Sequence, residues 1–294
     1  MISKKVTAIC PGSCGEFIQG IVNGREISVS YPIDMYSSIT VQYGNWENIR
    51  NSITPYKKLT SAVDIVLEHL GIPVNKKRNI EILRKSNLPM GKGMSSSTAD
   101  IGSLAVALAA YFGYELKPHE IMAIATSIEP TDGIFYKDIV LYDIEQKSIA
   151  KTIGPVPALK VLVLEGEGLI DTVSFRNRRV RIPEIDAAYI ELCHAIETNN
   201  WAALGRACIV SAMANQDILP KPRLEEIIAT ALEYGAYGVN VAHTGTAVGI
   251  LMDENIDEYY LLKSLRNSGV LQLYGRYNIV HMITNRLSYF PNKF

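Results

Sequence analysis

The sequence predicts an α+β protein folded in two lobes, and three features of the chain support this. Short apolar runs of strand composition alternate with longer stretches of helical apolar spacing from end to end. The alternation is punctuated at Gly154-Pro-Val-Pro157, where two prolines mark a boundary between residues 1–155 and 156–294. With 294 residues, 48% of them hydrophobic and 20% charged, the chain can bury two cores of ordinary size.

Val6–Cys10 reads as a strand entering a turn-rich segment with glycines at 12, 15 and 20. Ile27–Ile33 and Ser37–Tyr43 read as two strands separated by Pro32 and Asp34, in a hairpin or meander. Leu59–Leu70 has helical spacing and stops at Gly71, with Pro73 beyond. Asn79–Leu83 is a strand that leads into a glycine-rich loop, and Ala99–Phe112 is a buried helix closed by Gly113. A helix follows from Pro118 to about Glu129, then paired strands at Asp138–Ile144 and Ser148–Ile153. The second half opens with a buried strand, Leu159–Leu164, followed by helices over Pro183–Thr198, Trp201–Gln216 and Arg223–Tyr234. Asn199 and Asn200 suit a cap for the second of these. A strand pair flanks the turn at 244–249, a helix spans Ile256–Asn267, and a last strand spans Ile279–Asn285.

Charge and cysteine usage narrow the function class. There are 29 Lys+Arg against 30 Asp+Glu, so the chain lacks the basic excess of a nucleic-acid surface. The cluster Arg176, Arg178, Arg179 and Arg181 is a local exception that reads as a solvated face. Cys10, Cys14, Cys193 and Cys208 fit no zinc spacing. The N-terminus turns polar at once, and the most apolar helix is too short to span a bilayer, so no membrane association and a cytoplasmic location are expected. A homodimer is left open.

Leu88-Pro-Met-Gly-Lys-Gly-Met-Ser-Ser-Ser-Thr-Ala-Asp100 carries the clearest chemistry. Glycines let a backbone approach an anion closely, and a helix start offers unpaired N–H groups to phosphate. Serine hydroxyls add donors and a ligand for magnesium. Lys92 sits between the glycines, so this is not a Walker A loop. A plain helix cap with a flexible lead-in would look similar on its own.

The loop resembles the second motif of the GHMP kinases, ATP-dependent enzymes that phosphorylate galactose, homoserine, mevalonate and related alcohols. Pro89, Gly91, Gly93, Met94, Ser95, Ser96, Ser97, Thr98 and Ala99 occupy its places, with Ser95 where glycine is common and Thr98 where alanine is. Pro11-Gly12 is similar to the first motif, and Ala242-His-Thr-Gly-Thr-Ala-Val-Gly249 to the third, in the family's order. The resemblance implies an N-terminal lobe like ribosomal protein S5 domain 2 and a ferredoxin-like C-terminal lobe. It also implies ATP and Mg2+ as cofactors. Residues Pro89, Gly91, Lys92, Gly93, Met94, Ser95, Ser96, Ser97 and Thr98 would then cradle the nucleotide, with Ser97 and Glu129 on the metal.

Within Ile128-Glu-Pro-Thr-Asp-Gly133, Asp132 is the implied catalytic base, although Pro-Thr-Asp-Gly is equally a good β-turn. Several family members carry a lysine directly after the first Pro-Gly, where this chain has Ser13. Lys92, or an arginine from 176–181, would have to substitute, unless Asp132 and magnesium suffice. Cys10-Pro-Gly-Ser-Cys-Gly-Glu-Phe-Ile-Gln-Gly20 resembles the branch that makes O-phospho-L-threonine for the aminopropanol arm of cobalamin. L-threonine is thus the implied substrate, with homoserine or another alcohol as the alternative, and a non-catalytic nucleotide-binding protein as a further one. The implied substrate contacts are Gly12, Ser13, Cys14, Gly15, Glu16, Asp34, Gly245 and Thr246, with Glu16 and Asp34 suited to the ammonium and backbone N–H groups near Gly12–Gly15 to the carboxylate. His243 is expected to be structural, and the adenine pocket to lie near Tyr36–Tyr56.

Overall fold

A computed structural model describes residues 4–45, 47, 56–170, 181–284 and 287–291. Its elements run in chain order as β1 Lys5–Val22, β2 Arg25–Tyr43, α1 Lys57–His69, β3 Ile80–Ser86, α2 Ser96–Phe112, α3 Pro118–Ile128, β4 Ile139–Asp143 and β5 Ser148–Gly154. The second half adds β6 Lys160–Gly166, α4 Asp186–Thr198, α5 Trp201–Ala214, α6 Leu224–Glu233, β7 Gly238–Val241, β8 Ala247–Met252, α7 Glu258–Asn267, β9 Tyr274–His281 and β10 Ser288–Pro291. The α+β class is as expected.

The largest departure from expectation lies at the N-terminus. The glycine-rich segment after Cys10 is not a loop but the middle of β1, which continues to Val22 with register breaks between Pro11 and Ile18. Each bulge adds an unpaired residue and bends the strand, so one long hairpin serves two differently oriented parts of the sheet. The expected hairpin at Pro32–Asp34 is likewise continuous strand. Pro32 lies opposite Ser13, at a bulge, where a missing N–H interrupts no regular ladder. The chain reverses instead at Asn23-Gly24, both with positive φ (49° and 75°), as a two-residue turn between right-twisted strands requires.

The sheet runs β5-β4-β2-β1-β7-β8-β6-β9, with β3 on the outer part of β2 and β10 on the outer part of β1. β10 was not anticipated, and the last expected strand begins earlier, at Tyr274; the expected end, Asn285, lies outside the described residues. In the second half the strand order β7-β8-β6-β9, all antiparallel, with helices crossing one face, is the ferredoxin-like arrangement. The pairing of Glu16 with Val241 joins β1 to β7, so the sheet is continuous across the proline-punctuated segment at 155–159.

Burial explains the apolar runs. Along β6, Val161 and Val163 join one core while Leu162 and Leu164 join another on the opposite face. A strand covered on both faces reads as continuous hydrophobic sequence because its side chains alternate between two dry layers. Helix α2 is buried almost all round, since it packs on β1 and β2 and is covered by α1 and α3. Gly113 closes α2 with φ of 89°, and the Asn200 side chain accepts from the Ala203 N–H at 3.1 Å to cap α5.

The three glycine-bearing segments meet at one seam. The Lys92 carbonyl accepts from the N–H groups of Thr246 and Ala247, both at 3.0 Å. The Gly93 carbonyl accepts from Gly15 N–H at 3.1 Å, and that of Met94 from Ser13 N–H at 3.3 Å. Gly93 has a φ of 79°, and a Cβ there would lie 2.4 Å from the Ala242 Cβ. A Cβ on Gly245 would lie 2.3 Å from the Lys92 carbonyl oxygen. Gly93→Ala therefore combines left-handed strain with overpacking and should cost roughly 2–4 kcal/mol. Urea unfolding would show it as a lowered midpoint, and a midpoint equal to that of the unmodified protein would count against the seam.

Candidate active site

One cavity of about 560 Å³ opens between the glycine loop, the bend of β1 and the segment after α3. Gly91, Gly93, Met94, Ser95, Ser96, Ser97 and Thr98 line it, as do Glu16, Glu129, Asp132 and Thr244. The turn from loop to helix is made by Ser95, which precedes α2 with φ of 54° and does not cap it through its side chain. Its hydroxyl is turned to the Asp132 carboxylate at 2.5 Å and to the Ser13 hydroxyl. The first N–H groups of α2 have no intrahelical acceptor, so the positive end of its dipole faces the cavity. That combination is an anion site.

Asp132 is held from two sides: one carboxylate oxygen accepts from Ser95, the other from the Ser30 hydroxyl at 3.1 Å. Burial, reinforced by the Glu16 charge, pushes its carboxyl up to about 6, against the pull of the two hydroxyls. A carboxylate that gains and loses a proton near neutral pH suits general-base work.

Glu16 is buried, and one of its oxygens accepts from both the backbone N–H and the Nδ1 of His243, each at 3.0 Å. Nε2 of His243 lies 2.9 Å from the Ser211 hydroxyl, which accepts from Gln19 N–H at 3.0 Å. The chain Gln19–Ser211–His243–Glu16 fixes the carboxylate at the cavity wall beside Gln19 and Ser28. Lys221 is buried, its ammonium donating to the Leu219 carbonyl at 2.8 Å. Burial depresses it to about 7, a shift that the Glu16 charge opposes.

At the other end of the cavity Glu129, on the C-terminus of α3, is buried and ion-paired with Lys58. Tyr56, Lys57 and Leu59 lie alongside. The Arg84 guanidinium sits 4.3 Å from the Tyr56 ring centre and bonds both oxygens of Asp100 at 2.8 Å, which anchors the second turn of α2 to β3.

Several residues singled out from sequence lie elsewhere. Asp34 faces away from the cavity: its carboxylate accepts from His281 N–H at 2.9 Å and contacts that ring at 3.2 Å. The Lys92 ammonium is drawn to the carbonyls of Gly166 and Gly168, each at 2.6 Å, away from the anion-facing side of the loop, and Pro89 flanks it there. Gly12, Ser13, Cys14 and Gly15 stand behind the loop rather than in the cavity, and the N–H groups of Ser13 and Gly15 are taken up by loop carbonyls instead of a substrate carboxylate. Burial raises the Cys14 thiol to about 12, so it is inert packing. Gly245 and Thr246 brace the seam, and the neighbouring Thr244 faces the cavity. His243, expected to be structural, bonds directly to a cavity carboxylate. Arg176, Arg178 and Arg179, and much of the span before Tyr56, lie outside the described residues, while Arg181 is exposed. Among the described residues no helix is long and apolar enough to cross a membrane.

Models of the GHMP kinase N-terminal domain and of the GHMP kinase C-terminal domain match residues 57–135 and 192–269. An L-threonine kinase of Citrobacter freundii is 33% identical over 289 residues, covering 94% of this chain and 97% of its own. One of Salmonella typhimurium is 32% identical over 285 residues, covering 94% and 93%. A homoserine kinase from Cytophaga hutchinsonii, 16% identical, superposes with a TM-score of 0.71 over 99% of this chain and 98% of that one. Mevalonate kinase of Methanococcus jannaschii, 19% identical, gives 0.69 over 94% and 98%; these two likenesses concern the fold alone. With both domain models matched and a third of its residues shared with relatives along nearly its whole length, the chain belongs to the GHMP kinase family.

Proposed function

We propose that this kinase transfers the γ-phosphoryl group of ATP to the side-chain hydroxyl of L-threonine, giving ADP and O-phospho-L-threonine. The observation that carries the chemistry is the placing of Asp132, fixed by Ser95 and Ser30, beside the open N-terminus of α2 in one cavity. The phosphates lie against the α2 N–H groups and the glycine loop. The threonine hydroxyl stands between Asp132 and the γ-phosphorus. As its oxygen bonds to phosphorus, Asp132 accepts the proton and the bond to the β-phosphate oxygen breaks.

The choice of threonine rests on the relatives named as threonine kinases and on Glu16. His243 holds its buried carboxylate at the cavity wall, where it complements an ammonium group that mevalonate and sugars lack. The oxygen-only donor set of Ser97 and Glu129 fits magnesium, which favours one or two carboxylates together with substrate phosphates. Bound there, the ion would neutralise phosphate charge as it builds up in the reaction. The product would feed the aminopropanol arm of cobalamin in the manner of the branch that the N-terminal motif resembles.

Release of ADP, measured with threonine, serine, homoserine and mevalonate in turn, should be fastest with threonine; faster turnover of another alcohol would reassign the substrate. Asp132→Asn should lower kcat by about 10²–10⁴ while nucleotide binding persists, and an unchanged kcat would remove Asp132 from its role.

The raised carboxyl of Asp132 has two pH signatures. Activity should climb as pH passes through about 6, because only the ionised form accepts a proton. Stability moves the other way: the neutral carboxyl suits its half-buried site, so that contribution is complete below its unfolded value of 3.8 and lost as pH rises through about 6. Thermal melts should therefore show Asp132→Asn stabilised over the parent protein at pH 8, by on the order of 1 kcal/mol, and not at pH 4.

A further inference from the structure

Lys57 and Lys58 are, among the described residues, the cationic side chains that line the cavity. Both stand in the first turn of α1, which has no acidic residue there and no side-chain cap. Positive charge at a helix N-terminus opposes the helix dipole, and an acidic residue or a capping side chain would be the stabilising choice. A sequence that breaks a local rule twice in succession, at a cavity wall, is serving something other than the helix.

Lys58 meets Glu129 across the cavity, and the two partners differ in their surroundings. The Glu129 side chain is 4% exposed, whereas that of Lys58 is 35% exposed. The carboxylate is fixed by its position at the end of α3. The ammonium is on a flexible four-carbon stem with open cavity on one side and three donors to share. The lining that surrounds the pair also includes Ser96, Ser97 and the loop that presents the helix dipole. Lys92 is not available to this region, because two backbone carbonyls hold it.

We infer that Lys58 is a transferable cation: it neutralises Glu129 in the ligand-free protein and moves its ammonium onto the polyphosphate of the entering nucleotide. This rests on the kinase reading above and adds a residue and a ligand-dependent exchange to it. Without ligand, the pairing offsets the cost of keeping Glu129 ionised in a dry site. With nucleotide, the same ammonium gains a more highly charged partner through a charge-assisted bond, and Glu129 is released. Lys57, which no ion pair among the described residues draws across the cavity, plays the lesser part.

Calorimetric binding of ATP in the presence of a chelator isolates this step from metal and from turnover. Lys58→Met should weaken metal-free ATP binding about tenfold, Lys58→Arg should recover most of it, and Lys57→Met should change it less than about threefold. Glu129→Gln should tighten binding by freeing the ammonium, and this gain should vanish in Glu129→Gln/Lys58→Met, a coupling that a double-mutant cycle reads directly. The double variant leaves no unpaired buried charge, so it serves as the folded control where Lys58→Met alone melts early. Equal tightening by Glu129→Gln with and without Lys58 would overturn the inference, as would unchanged ATP affinity in Lys58→Met. Failure of the unmodified protein to bind ATP at all would instead overturn the kinase reading.

Discussion

Everything in the cavity depends on the backbone seam at Lys92–Met94. Three successive carbonyls face donors from the bend of β1 and from the turn before β8, leaving the opposite side of the loop free to face an anion. Such a contact requires main chains to approach to a distance that side chains forbid, which is why glycine recurs at positions 93 and 245. The seam also sets Ser95 in its left-handed conformation and so aims its hydroxyl at Asp132 rather than at the helix it precedes. A cap is given up at that terminus, and an exposed dipole and an oriented base are gained together.

Charge follows from this geometry. Glu16, Glu129, Asp132 and Asp100 all border one cavity. Each is held differently: Glu16 by an imidazole, Glu129 by an ammonium, Asp132 by two hydroxyls and Asp100 by a guanidinium and the Ser37 hydroxyl. The strength of the compensation falls from the guanidinium to the hydroxyls. Burial raises the proton affinity of Asp100 too, against the pull of Ser37 and Arg84, while Asp132, with neutral donors alone and Glu16 nearby, is pushed up to about 6.

Much of this was legible in the sequence, for reasons that differ by residue. The helices were readable because α1, α3 and α7 keep an apolar stripe and close on recognisable stops, and the buried strand β6 because a two-faced core leaves an unbroken apolar run. The loop and Asp132 were readable through motif order. The bent hairpin was not, since glycines and Pro32 signal turns locally and only the facing strands convert them into bulges. The reversal at Asn23-Gly24 was not anticipated, although that pair carries a hairpin signal, because Pro32 and Asp34 drew the turn to the wrong place. Lys58 and the role of His243 could not be read, because each acts through a partner far away in the chain, at Glu129 and Glu16. Asp34 misled because the register of β2 slips between Pro32 and Tyr36, so that, unlike Ser28 and Ser30 on the same alternation, its carboxylate meets His281 instead of the cavity.

The two carbonyls that hold Lys92 belong to Gly166 and Gly168, and the Ile170 N–H returns a bond to the Gly91 carbonyl at 2.9 Å. The nucleotide cradle is thus clasped from outside by a stretch that follows β6, beyond the midpoint of the chain. The first two motifs, both in the N-terminal half, acquire their shape only once the later half has docked. During synthesis, the emerging first half would carry a loop with the right composition and no fixed form, so nucleotide cannot assist its folding until translation is well into the second half. Ligand-assisted folding is then reserved for the finished chain, and a split of the polypeptide between β5 and β6 would yield pieces competent only when recombined.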